Sequence, residues 1–425
     1  MKKILASGFA VLAAAALSTE AVAGGLERGG YNIDLLFDNS PFIFDSSITY
    51  VMPKRKLKNV RDTDPTDGNL NDLGFSSDAD ETENYAVPRI GMKAGIGEAI
   101  DCMIDYSEPW GAHSNPGTGW AGAQSVTEIE VYSRNYGGTC SYKFDVGPGQ
   151  LRIIGGGFYQ EVGGFKDALV LPGLSPLGFS GIGRLEDMEG DGGGWRAGIA
   201  YEIPEYAMRA SLVYNSKVDL GDVTGTLDLT EVPAFVLPPG DPRRSLFGVA
   251  TPVFGTATMP EVIELKLQSG IAPDWLAFGS VKWTNWSRLQ SVAFCPVALR
   301  GLGSCVTGGP LEATSLDLLY RDGWTISGGI GHKFNEQWSG AASLTWDRGT
   351  STGVGHQTDS WTVGVGGAYT PTEHVELRFG GALGILTSGS SGVEVRNGVV
   401  FGDDVSYDFG TDLVTALTAS LKVKF

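Results

Sequence analysis

The chain has 425 residues, a mass of 44.9 kDa, 62 glycines and a formal net charge of −18. With 49 Asp and Glu against 31 Lys and Arg, nothing in it would neutralise phosphates, so nucleic acid is excluded as a partner. No run of 18 apolar residues occurs beyond the N-terminus, which excludes a bundle of membrane helices, and apolar periods of 3.6 residues are scarce.

In chain order, the first element reads as an export signal. Lys2 and Lys3 precede the apolar stretch Ile4 to Leu17, and Ala21-Val22-Ala23 forms a cleavage site, so residues 1–23 would be removed and the mature chain would begin at Gly24. The segment from Gly24 to about Phe44 carries turn formers and charges and precedes the first strand. It either trails free on the periplasmic side or folds into a barrel lumen as a plug. Leu26, Tyr31, Ile33, Leu35, Leu36 and Phe37 favour burial, which makes residues 24–44 the expected plug and 45–425 the barrel.

From there the dominant period is two. At the C-terminus Leu413, Thr415, Leu417, Ala419, Leu421, Val423 and Phe425 share one face, with Asp412, Thr418, Ser420, Lys422 and Lys424 opposite. Such alternation is what a strand with lipid on one side and a wet lumen on the other requires. Trp338 to Trp346, Trp361 to Tyr369 and Val375 to Ile385 repeat it, with aromatic residues where two interfacial girdles would lie. A soluble sandwich would carry larger residues than glycine and alanine on its apolar face. Tight turns are expected at Gly97-Glu98, Gly147-Pro148-Gly149, Pro204-Glu205, Ala272-Pro273-Asp274, Asn335-Glu336-Gln337 and Pro371-Thr372-Glu373. Long polar stretches lie near 53–84, 108–123, 166–192, 219–258, 295–312, 349–359 and 388–408. Six turns and seven loops join fourteen strands, so the expected fold is an all-β, antiparallel transmembrane barrel with both termini periplasmic.

Export puts the four cysteines in an oxidising compartment. Cys295 and Cys305 bracket a short loop and are expected to bridge it. Cys102 and Cys140 lie on neighbouring strands and either pair across them or remain free, buried thiols. Asp62, Asp64, Asp67 and Asp72 surround a glycine turn, but their spacing departs from a calcium loop by one residue, and a solvated acidic loop is the simpler reading. The four histidines lack an acid partner fixed for catalysis, so neither an enzyme nor a cofactor is expected.

The stretch MPEVIELKLQSGIAPDWLAFGSVKWTNWSRLQ (259–290) resembles the long-chain fatty-acid transporter family of outer-membrane proteins (FadL/TodX-like). Met259-Pro260-Glu261 opening a strand, the turn Pro273-Asp274-Trp275 and the strand end Lys282-Trp283-Thr284-Asn285-Trp286-Ser287 carry the likeness. Residues 86–111, 319–338 and 364–383 resemble further family hairpins. The resemblance implies a monomeric fourteen-stranded barrel in the outer membrane of a Gram-negative cell, in contact with lipid and lipopolysaccharide. It implies passive carriage of hydrophobic molecules (fatty acids, hydrocarbons or a detergent in their place), gated by the N-terminal hatch, with a lateral exit near the third strand. The family's Asn-Pro-Ala motif at the end of the hatch is replaced by Asn39-Ser40-Pro41-Phe42, so Asn39, Pro41 and Phe42 are the expected gating residues.

An amphiphile needs a greasy surface for its tail and a cation for its head. Phe235, Val236, Leu237, Phe247 and Phe254 could line an outer groove, faced by Leu171, Leu174 and Phe179, because apolar residues this dense are unusual in solvated loops. The same loops could instead pack on each other as a lid. Arg321 matches the basic residue of the family's Tyr-Lys/Arg-Asp motif, which contributes to an inner pocket. Its parity, opposite to Tyr320 and Trp324, puts it in the lumen with Lys282, where an Arg fork suits a carboxylate. Asp322 then needs a bulge or an interfacial position. The rival functions are a general porin for polar solutes and, further off, an outer-membrane hydrolase or adhesin.

Overall fold

The computed structural model describes residues 24–64 and 68–425; the export signal at 1–23 and Asp67 of the acidic loop lie outside the described residues. Nineteen hydrogen-bonded segments, five of which continue a strand across a local break, build one closed antiparallel barrel of fourteen strands. They are β1 (Phe42–Pro53), β2 (Tyr85–Ile96), β3 (Ile100–Ser107, continued by Gly111–Ser114), β4 (Glu128–Val146), β5 (Gly149–Leu169), β6 (Ile182–Ile203) and β7 (Met208–Asn215, continued by Val218–Asp228). Then follow β8 (Ala250–Met259 and Val262–Ala272), β9 (Trp275–Thr284 and Ser291–Pro296), β10 (Thr314–Asp317 and Gly323–Lys333), β11 (Trp338–Asp347), β12 (Ser360–Thr372), β13 (Val375–Leu386) and β14 (Asp412–Lys424). Closure comes from β1 pairing β14 from Ile43↔Lys424 to Pro53↔Val414, which joins the first and last strands of the sheet.

The period of two is what puts the apolar set outside. Ile104, Ile153, Ile199, Leu212, Ile326, Val363 and Leu417 are exposed on the wall, while Lys93, Arg152, Arg196 and Lys422 are buried within it. Two aromatic girdles bound the lipid band. Trp338 stacks on Tyr369 with ring centroids 4.6 Å apart at the turn end, and Trp346 meets Trp361 at 6.3 Å at the loop end. All six expected turns join strand ends.

Two corrections follow. The first strand opens at Phe42, so the pre-barrel segment ends at Pro41, three residues earlier than expected. Within the stretches 166–192 and 219–258, residues 166–169, 182–192, 219–228 and 250–258 are strand, because β5 and β6 run for 21 and 22 residues and β7 and β8 continue past their breaks. Spanning takes only about 9–11 residues, so this part of the wall projects well beyond the membrane, and its polar sequence reflects water on its outer side. Two other outer loops pack together as a lid: Lys56–Asp62, Ala79–Asp80, Gly389–Ser391 and Val405–Phe409 form a small sheet whose Leu57 and Val60 pack with Leu70 and Trp120. Both cysteine pairs are bridged, Cys102 to Cys140 across β3 and β4 and Cys295 to Cys305 across the outer loop.

One seam in the wall is incomplete. The ladder between β2 and β3 stops at Arg89↔Ser107, and beyond it Gly111–Ser114 pairs with β4 while Tyr85–Pro88 pairs with β1. Pro109 cannot donate to a ladder, and the chain turns inward there, burying Trp110 completely. The N-terminal segment fills the gap: Arg28 N donates to Pro109 O at 2.8 Å and Gly111 N to Leu26 O at 2.6 Å.

Candidate functional site

The segment 24–41 meets inward-facing residues on most sides of the barrel. Asp34 accepts from Lys266 of β8 at 3.0 Å and lies 3.7 Å from Arg209 of β7. Asp38 pairs with Lys422 of β14 at 3.0 Å, and Lys93 of β2 donates to the Asp38 and Ser40 carbonyls at 2.7 and 2.9 Å. Glu27 pairs with Lys282 of β9, and Arg89 donates to Gly30 O at 2.9 Å. Burial alone would raise the Asp34 carboxyl, but Lys266 and Arg209 beside it hold it below its ordinary value. Ile33, Leu36 and Phe37 pack on Met103, Ile154, Ala200 and Val213 of the wall. At Gly25, φ is +59° and any Cβ would stand 2.7 Å from the Trp286 ring, so only glycine admits this approach.

Beside the segment lies a cavity of about 430 Å³. Seven Arg or Lys side chains line it, Arg89, Arg209, Lys266 and Lys422 among them, against five carboxylates, so its balance is basic although the chain is acidic. Toward the outer loops the lumen becomes apolar. Leu185, Met188, Val223, Val253, Val292 and Phe294 pack with Leu26, Trp110 and Trp286 in one cluster. Through it runs a line of rings: Phe158 to Tyr31 at 5.0 Å, Tyr31 to Trp110 at 5.6 Å, Trp110 to Trp286 at 5.1 Å and Trp286 to Tyr320 at 5.8 Å. Edge-to-face geometry dominates it, the favoured arrangement of the ring quadrupoles. The middle of the line lies at the incomplete seam, where Trp110 turns inward.

The structure distributes the expected site residues unevenly. Phe179 and Phe235 meet across two outer loops at 6.1 Å, with Phe235 exposed. Leu171 and Phe247 pack on the apolar cluster, Leu174 is buried, Val236 and Leu237 are half-buried, and Leu237 O accepts from Arg244 at 2.9 Å. Phe254 departs from the expected groove: it faces away from buried Val253, and Arg300 lies over its ring at 4.1 Å. Lys282 is inward as expected and engaged by Glu27. Asn39 lines the cavity, and Pro41 O accepts Gly95 N at 2.7 Å. Phe42 is part of β1, faces outward, and contacts Phe425 at 5.6 Å at the closing seam, outside the lumen.

Arg321 is displaced from the lumen. Leu319 takes φ 48°, which breaks the strand's parity and turns Tyr320 into the inner cluster. Arg321 is left half-exposed at the rim, donating to Gly349 O at 2.9 Å and 3.9 Å from Asp359. Asp359 accepts from Trp346 Nε1 and Asp322 from Trp283 Nε1, both at 3.1 Å, so these carboxylates hold the outer girdle in place at an interfacial position. In loop one, Asp62 accepts the N–H groups of Asp64 and Leu70, and its carboxylate caps its own turn. Sequence reasoning passed over Trp110, Arg209 and Arg196. A proline inside Glu108-Pro109-Trp110-Gly111 was the available signal for the first, and inward parity for the two arginines.

Against known proteins, residues 35–390 match the family model described as outer membrane protein transport protein (OMPP1/FadL/TodX). A long-chain fatty acid transport protein of Salmonella typhi is 22% identical over 323 residues, covering 72% of this chain and 67% of that protein. Outer membrane protein P1 of Haemophilus influenzae is 28% identical over 204 residues, 46% of this chain and 39% of its own length. Among solved structures, a Pseudomonas aeruginosa FadL homologue superposes with a TM-score of 0.73 at 14% identity, covering 92% of each chain. The Pseudomonas putida toluene transporter TodX does so with a TM-score of 0.60 at 13% identity, covering 95% of this chain and 99% of that one.

Proposed function

The chain belongs to the outer membrane protein transport protein family (OMPP1/FadL/TodX), and from that premise we propose that it carries fatty acids or related hydrocarbons inward across the outer membrane by passive diffusion. The observation that carries this reading is the apolar cluster running from Leu171 and Phe247 at the outer loops to Trp286, Trp110 and Leu26 beside the incomplete seam. A hydrophobic guest follows such a surface at no desolvation cost, whereas a sugar gains nothing from it. The outer loops with Phe179 and Phe235 are the landing surface. The seam between β2 and β3 is the lateral exit, closed at rest by the backbone of Leu26 and Arg28. The segment 24–41 is the hatch, held by its ion pairs to Lys266, Lys282 and Lys422. For a carboxylate head, Arg89, Arg209 and Lys266 at the cavity offer the counter-charge. On this reading Lys282 anchors the hatch and Arg321 braces the rim.

Uptake by whole cells tests the proposal, because lipopolysaccharide slows hydrophobic solutes on its own. Cells lacking the protein should take up labelled oleate or toluene more slowly, and plasmid-borne wild type should restore the rate. Equal uptake with and without the protein, together with sugar-driven swelling of liposomes that contain it, would establish a general porin instead.

A further inference from the structure

We propose that the notch holding the Tyr31 side chain is a binding site for a neutral aryl alcohol of the para-alkylphenol kind, with Tyr31 as its tethered occupant. This rests on the reading of the protein as a carrier of hydrophobic molecules and names a substrate class within it.

Tyr31 belongs to the hatch segment, not to the wall, yet its side chain sits as a ligand would. Its ring lies 5.0 Å from Phe158 and edge-on to Trp110 at 5.6 Å, with the Arg196 guanidinium 5.5 Å from the ring centroid. Its hydroxyl donates to Gln160 Oε1 at 3.2 Å. A tyrosine side chain is a para-alkylphenol, so the wall already displays the complement of that molecule: aromatic faces for the ring, a cation over it and an amide at the hydroxyl.

The polar part of the notch is larger than Tyr31 uses. Asn135 and Gln160 stand opposite each other on β4 and β5, both wholly buried. The Gln160 amide nitrogen, both polar atoms of the Asn135 side chain, and Nε and Nη2 of Arg196 have no hydrogen-bond partner among the described residues. Buried polar atoms left without partners are costly, and those of Gln160 and of Asn135 facing it lie on the strand pair that receives the Tyr31 hydroxyl. The charge of the notch selects against an anion. Arg196 lies 3.8 Å from Asp105, so the pair is near neutral and offers no surplus cation to a buried carboxylate. Access is provided as well, because Tyr31 and Asp105 also line the cavity of about 430 Å³.

Titration calorimetry of the purified, full mature protein with 4-ethylphenol and ethylbenzene tests the assignment. The two differ only by the hydroxyl. Wild type should bind 4-ethylphenol about 10-fold more tightly, the worth of one buried hydrogen bond. Tyr31→Ala, which vacates the notch, should bind both more tightly and keep the preference; Gln160→Leu should bind both with the preference lost. Equal affinities in the wild type, or a preference that survives in Gln160→Leu, would overturn the phenol site while leaving hydrocarbon carriage standing. Binding of neither compound by the wild type or by Tyr31→Ala overturns the site too; joined to oleate and toluene uptake that is independent of the protein, it overturns the carrier reading with it.

Discussion

Replacing Lys93 by methionine is the sharpest probe of what holds the segment 24–41 and of its proposed role as a hatch. Lys93 is 2% exposed, and its ammonium donates to Asp38 O and Ser40 O while pairing with Asp101 at 2.8 Å. Methionine keeps the length and apolar stem of the side chain and removes only the charge and its donors. Asp101 is not orphaned by the change, since Arg152 at 2.7 Å and Lys143 at 3.3 Å still neutralise it. The wall therefore loses little. The segment 24–41 loses two charge-assisted hydrogen bonds, and because the freed carbonyls border the cavity and can be hydrated, the lower end of about 1.5 kcal/mol each applies. A total of about 3 kcal/mol shifts the docked-to-undocked ratio by about 150-fold. Planar-bilayer recordings should show open events rising steeply in Lys93→Met, with heat-modifiable gel mobility unchanged as evidence of a folded barrel. A folded variant whose closed time matches wild type would refute the reasoning, because the segment would then not be what closes the lumen or not be held by these bonds.

Deleting Gly24 to Ser40 should give the largest leak of all, and conductance equal to wild type would show that the segment does not block the pore. Acid should act on the same latch. The Asp34 carboxyl is held below its ordinary 3.8, so its contribution to docking is complete above that pH and is lost as pH falls through the lowered value. Open probability in bilayers should therefore rise only below about pH 3.8, and Asp34→Asn should show that rise already at neutral pH. Replacing Cys295 and Cys305 by serine removes a bridge across ten residues of sequence and should loosen the loop by about 2–3 kcal/mol. Hydrogen exchange of residues 291–309 reads this, and protection identical to wild type would show that packing alone orders the loop.

The barrel was legible from the chain because its determinants are local. A strand between lipid and a wet lumen must alternate, so Trp338 to Trp346 and Leu413 to Phe425 declare their outward faces one residue at a time. Tight turns declare themselves through Pro, Gly and Asn for the same reason, and all six lie where those residues put them. The outer ends of β5 to β8 were read as loops because, beyond the membrane, water replaces lipid on the outer face and the apolar half of the alternation disappears. Parity also fails wherever a strand breaks. One positive φ at Leu319 moved Arg321 from the lumen to the rim, and no count along the sequence registers such a step.

Alternation along the chain thus fixes the architecture, the strand number and which residues meet lipid, since each depends on neighbours two positions away. What the lumen contains is set instead by how the closed wall meets the N-terminal segment. The pairing of Asp34 with Lys266, of Glu27 with Lys282 and of Tyr31 with Gln160 joins residues more than a hundred positions apart. Such contacts come from the curvature that closes the wall around its own N-terminus, and a periodicity of two carries no information about curvature.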